Sequence, residues 1–123
     1  MAAQYGAYEF PGVKGAKVNG TLTQEENLAD IAGLELAWAA YTAQEPKAKP
    51  AQQQGFFRAW AALWAQQLSP NEAARRLTAD IRAPGMWRTN GTLANLPAFG
   101  ATFSCKAGQP MQRSDAEQIK VWR

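Results

Sequence analysis

Residues 23–43 read TQEENLADIAGLELAWAAYTA, and the reading of this stretch decides the fold. Thr23 with Glu26 three positions later has the S/T-x-x-E form of a capping box. In that device Thr23 accepts from the Glu26 amide while the Glu26 carboxylate reaches back. Apolar side chains then recur as Leu28, Ile31, Leu34, Trp38 and Tyr41, the spacing of a single helical face. The sequence therefore predicts a helix from Thr23 to about Ala43. Its other face carries Asp30, Gly33, Ala37 and Ala40. Small side chains let a second element approach closely, so this helix is expected to be covered on more than one side.

Outward from this helix the punctuation is clear. Residues 1–22 are rich in glycine, with Tyr5, Tyr8, Phe10, Pro11 and Val18 spread among them and a turn signal at Asn19-Gly20. They read as an irregular or extended lead-in. Residues 44–51 form a Pro/Lys linker, after which a second helix is expected from about Gln52 to Leu68, burying Phe56, Phe57, Trp60, Leu63 and Trp64. Ser69-Pro70-Asn71-Glu72 is another capping box and starts a third helix, Pro70 to about Asp80. Pro84-Gly85 and Asn90-Gly91 mark a long turn region, and a short helix follows from Pro97 to Phe103 with Asn95 as its possible cap. The expected architecture is mainly α, in one domain over 1–123, with an irregular N-terminal lead-in.

Composition excludes several kinds of chemistry. A chain of 123 residues can bury roughly two thirds of its unfolded surface. It has 46% hydrophobic and 19% charged residues, a globular balance rather than a disordered one. There is no histidine, which removes the usual general base, every Ser-His or Cys-His pair and the commonest nitrogen ligand of zinc. The single cysteine, Cys105, permits no internal disulfide and no Cys-rich metal cage. A net charge of +3 is spread over scattered lysines and arginines, of which only Arg75-Arg76 are adjacent. Without a basic stripe or an aromatic nucleic-acid motif, that surplus reads as solvated surface, and no nucleic-acid partner is expected. No run is long and apolar enough for a membrane span, and the first residues are not a signal peptide.

Glu26 and Asp30 lie four apart, so a helix places both carboxylates on one face. They read either as a solvated acidic first turn favoured by the helix dipole, or as a pair beside a packed face that a metal or cation would relieve. At these residues a family likeness enters. Asn19-Gly20-x-x-Thr23-x-x-Glu26-Asn27-x-Ala29-Asp30, followed by Gly33-Leu34, closely resembles a signature of the neprilysin-type zinc metallopeptidases, which include the endothelin-converting enzymes and bacterial oligopeptidases. The likeness runs from Gln4-Tyr5 to Val121-Trp122 through Ala40-Tyr41, Phe56-Phe57, Trp64, Pro84-Gly85, Arg88, Gly91, Asn95, Phe99, Phe103 and Cys105.

The resemblance implies roles position by position. Glu26 matches the third zinc ligand of a His₂Glu site, and Asp30 the carboxylate that orients a zinc-bound histidine. Arg88 matches an arginine that hydrogen-bonds a substrate carbonyl. Leu63 and Trp64 fall where the family lines the pocket for the side chain just after the scissile bond. Arg82 stands at the place of an oxyanion-stabilising histidine; an arginine can also donate to an oxyanion. Cys105 matches a position that is disulfide-bonded in extracellular members, with a partner outside this chain. The H-E-x-x-H helix, which supplies two ligands and the glutamate base, is absent.

The chain is thus expected to be the C-terminal part of a catalytic domain, inactive alone and holding no zinc tightly by itself. Its expected partners are the N-terminal part of that domain, a peptide substrate and a second copy of itself, in an extracytoplasmic setting. The alternative is a catalytically inactive helical interaction module or degenerate remnant.

Overall fold

The computed structural model describes the whole chain, Met1–Arg123. Six helices follow in order: α1 (Ala2–Gly6), α2 (Gln24–Gln44), α3 (Pro50–Leu63), α4 (Pro70–Ala79), α5 (Gly85–Leu93) and α6 (Pro97–Thr102). There is no sheet, only an isolated antiparallel bridge between Glu9 and Lys17. The architecture is all-α, as expected, and the lead-in is irregular apart from the short α1. Three helices begin with proline at the first position (Pro50, Pro70, Pro97), where the missing N–H has no intrahelical partner to lose.

Two apolar clusters hold the helices together. Ile31 and Leu34 of α2 meet Phe57 of α3, Leu93 of α5, and Leu96 and Phe99 at α6. A second cluster joins Tyr5, Phe10 and Val18 of the lead-in to Ala73 and Ala83. Aromatic rings extend the first cluster: Trp38 stacks on Phe57 at 4.7 Å, and Phe57 meets Phe99 edge-on at 5.5 Å. Beyond α6 the chain has no regular structure and is strapped down by polar contacts. Arg113 N–H donates to Ala94 O, Ile119 N–H to Asn95 Oδ1, and Trp122 Nε1 to Ala32 O.

Several local expectations are corrected. Thr23 does not close a capping box: its hydroxyl donates to Asn19 O at 2.9 Å and accepts from Asn27 Nδ2 at 2.9 Å. Its backbone has already turned helical, which aims the side chain away from the helix's free amides. At α4 the Ser69 hydroxyl does accept from Glu72 N–H at 3.2 Å, but the Glu72 carboxylate is drawn to Arg75 and Arg76 instead of reaching back. α3 begins two residues earlier than the pattern suggests and ends at Leu63, five residues sooner.

The larger correction concerns Gly85–Leu93, which is helix α5 and not a turn region. Neither Gly85 nor Gly91 has positive φ. Gly85 is glycine because the Trp64 carbonyl lies where its Cβ would be, and Gly91 because the Tyr5 ring would stand 2.9 Å from one. Asn95 does not cap α6, whose cap position is Leu96. Fully buried, it donates to Gln4 Oε1 and Gly91 O and accepts from Ile119 N–H, tying α1, α5 and the tail together. Finally, Leu28, Gly33, Ala37 and Ala40 are exposed, so within this chain α2 is covered on one side only.

Candidate functional site

Four charged side chains from three segments meet at the N-terminal end of α2. Glu26 and Asp30 stand one turn apart on α2, Arg88 projects from the first turn of α5, and Arg82 from the connection before it. Arg88 grips Asp30 in a fork: Nε donates to Oδ2 and Nη2 to Oδ1, both at 2.7 Å. The Asp30 side chain is 8% exposed and that of Arg88 11%. Glu26 is more open. Its Oε2 lies 3.5 Å from Arg82 Nε and 4.0 Å from Arg88 Nη2. Two carboxylates and two guanidinium groups make the cluster electrically neutral. Burial alone would lower the Arg88 pKa, but the Asp30 hydrogen bonds and the nearby carboxylates outweigh it and raise the pKa above its ordinary value.

The chain around the cluster explains its geometry. α3 stops at Leu63, and the next residue, Trp64, lays its indole over the Arg88 guanidinium at 3.6 Å. One turn back, Trp60 donates from Nε1 to Arg88 O at 3.2 Å and meets the Trp64 ring edge-on at 5.6 Å. α5 has no side-chain cap of its own; instead its first amide, Gly85 N–H, donates to Gln66 Oε1 at 3.0 Å. Asp80 turns the connection that carries Arg82, its Oδ1 accepting from Arg82 N–H at 2.9 Å.

Of the residues singled out from the sequence, Glu26, Asp30, Arg82, Arg88 and Trp64 come together. Leu63 does not join them; it is 65% exposed on the outer face of α3. The sequence alone does not mark Trp60, Gln66 and Asp80 as site residues. Trp60 carried a cue, its i,i+4 spacing from Trp64, but that spacing equally describes two core aromatics. Cys105 is a half-buried free thiol whose backbone N–H donates to Gly100 O.

The residues present do not by themselves fit a zinc ion. Nowhere do three histidine, cysteine, aspartate or glutamate side chains converge. Asp30 is engaged by Arg88, which leaves Glu26 as the one open carboxylate, whereas a catalytic zinc takes three protein ligands.

Comparison with known proteins gives a consistent result. The family model for peptidase family M13 matches residues 1–119. Human membrane metallo-endopeptidase-like 1 is 34% identical over 99% of this chain and 17% of its own length. Endothelin-converting enzyme 1 of Bos taurus is 32% identical, again over 99% of this chain and 17% of its own. Among solved structures, the Mycobacterium tuberculosis zinc metalloprotease Zmp1 in complex with an inhibitor superposes with a TM-score of 0.90 at 28% identity, covering 100% of this chain and 20% of that one. PepO from Lactobacillus rhamnosis HN001 gives 0.84 at 33%, covering 99% and 18%. The chain thus spans about a sixth of the length of the curated relatives it matches.

Proposed function

The chain belongs to peptidase family M13, and on that footing we propose that it is the C-terminal portion of a zinc-dependent metalloendopeptidase catalytic domain. The observation that carries this reading is the convergence of Glu26, Asp30, Arg82 and Arg88 from three separate segments. Glu26 is the one zinc ligand of this portion. The remaining ligands and the glutamate base belong to the N-terminal part of the domain, its partner in the same polypeptide or in another. An extracytoplasmic setting follows from the same reading; no helix here is long and apolar enough to cross a membrane.

Hydrogen-bond capacity supports the assigned roles. A carboxylate offers about four acceptor sites, and the Arg88 fork uses two of those on Asp30, leaving room for the ring N–H of a ligating histidine. A guanidinium carries five N–H groups, so Arg88 keeps donors for a peptide carbonyl while holding Asp30. Trp64 then forms an aromatic wall beside those donors, whereas Leu63, exposed on the outer face of α3, takes no part in it. Arg82, beside Glu26, would offer guanidinium N–H donors to an oxyanion.

A second reading, the inactive helical module, is favoured by the neutrality of the same cluster, since Glu26 already faces two guanidinium groups. The two are separated by isolating the native species and measuring its intact mass, zinc content and peptidase activity. The first reading expects a polypeptide or complex much larger than 13.4 kDa. It further expects about one zinc per site and a loss of at least about a hundredfold in activity in Glu26→Gln. A free chain of 13.4 kDa without zinc overturns it and leaves the module.

A further inference from the structure

We propose that Trp60 is a positioning residue for Arg88, setting how far the guanidinium reaches from α5; the inference rests on the reading of Arg88 as a donor to a substrate carbonyl. Arg88 lies in the first turn of a nine-residue helix that lacks a side-chain cap. Helix ends are the places where a chain frays and opens most readily. Here that turn is held from outside, by Gln66 on the Gly85 amide and by the Trp60 indole N–H on the carbonyl of Arg88 itself.

The same indole acts a second time through its ring. Trp60 and Trp64 sit one turn apart, edge to face at 5.6 Å, and Trp64 covers the guanidinium at 3.6 Å. The Arg88 backbone is therefore tied to α3 by Trp60 directly, and its side chain through Trp64, which Trp60 packs against. Asp30 fixes the direction of the fork from α2, but a fork to a single carboxylate still allows the α5 backbone to recede. Packing alone does not call for a tryptophan at this position. A phenylalanine would fill much of the same space, and only the N–H supplies the bond to Arg88 O.

The test compares the parent chain with Trp60→Phe, and with a chain in which benzothiophene replaces the Trp60 indole, keeping its shape without the N–H. The readout is solvent exchange of the Arg88 Nε–H by NMR. Arg123 Nε–H, which donates to Glu35 at 2.7 Å at the far end of the chain, is the internal control. We expect Arg88 exchange to rise about fivefold in both variants, as for loss of one neutral hydrogen bond, with Arg123 unchanged. No change at Arg88, or equal acceleration at both arginines, overturns the proposal, the second result marking a general loosening. In the native species the same variants should raise KM for a peptide several-fold with little change in kcat. Faster Arg88 exchange with an unaltered KM upholds the clamp and removes the carbonyl-binding role given to Arg88, so the two failures are distinguishable.

Discussion

At the scale of single residues, the Asp30–Arg88 pair is the most consequential polar contact. Both groups are almost withdrawn from water and share two 2.7 Å bonds. Replacing such a pair by apolar groups can be nearly neutral, but removing one partner strands the other charge. Asp30→Asn keeps the shape and deletes the charge, leaving Arg88 with only Glu26, at 4.0 Å, as counter-ion. The expected loss is about 3 kcal/mol, read as a fall in Tm of roughly 10 °C. Asp30→Asn combined with Arg88→Gln should recover part of it, and a single mutant that melts with the parent would show the pair to be inert. That Asp30 is special was visible in the sequence through the signature around it, not through its small neighbours Gly33 and Ala37, which are exposed. Its partner was not, since 58 positions separate the two and no local pattern links them. Asn95 departs from expectation for the same reason. An asparagine before a proline-led helix looks like a cap, and only the fold shows its amide spent on Gln4, Gly91 and Ile119.

At the scale of elements, glycine carries the lesson. Within a helix, Gly→Ala normally stabilises by about 0.5–1 kcal/mol. Gly33 in α2 and Gly55 in α3 have open space where a Cβ would go, so Gly33→Ala and Gly55→Ala should gain that amount in urea unfolding. Gly85→Ala should instead lose about 2 kcal/mol or more, because its neighbour is the rigid Trp64 carbonyl. Gly91→Ala should lose less, since the Tyr5 ring can shift. If all four gain alike, the close approaches are wrong. The sequence could not separate these cases: a glycine required by a neighbour and a glycine required by positive φ are the same letter. The glycines of α5 therefore read as turns, while α2, α4 and α6, marked by periodicity and N-terminal prolines, are legible. α4 adds a pH signature. Hydrogen bonds from Arg75 and Arg76 bring the Glu72 pKa from 4.5 down to about 2 in the folded chain. A pKa depressed by folding adds stability above the unfolded value and loses it as pH falls toward the folded one. The parent chain should accordingly lose more stability than Glu72→Gln between pH 4.5 and 2. Parallel acid profiles for the two would sink this account.

At the scale of the whole molecule, the surface is too large for the mass. A folded monomer of 13.4 kDa typically exposes about 6,500 Å², whereas this chain exposes 7339 Å². The excess, roughly 800 Å², is what one partner contributes to a standard protein–protein interface. Its composition points the same way: Leu36, Leu63 and Trp122 are each more than half exposed. Leu36 and Trp122 border a groove of about 320 Å³ whose walls also include Trp38, Leu96 and Ala98. In a complete catalytic domain, surface of this kind is expected to lie against the rest of the fold. In the isolated chain the same apolar area should find another copy. Light scattering at millimolar concentration is therefore expected to give a mass well above 13.4 kDa, and Leu36→Lys should shift it back toward the monomer by placing an unpaired charge in the contact. On the proposed reading, adding the N-terminal part of the domain should dissolve the self-association, since both would compete for one face. A parent chain that stays monomeric at that concentration would mean that its excess area is irregular tail surface rather than an exposed interface.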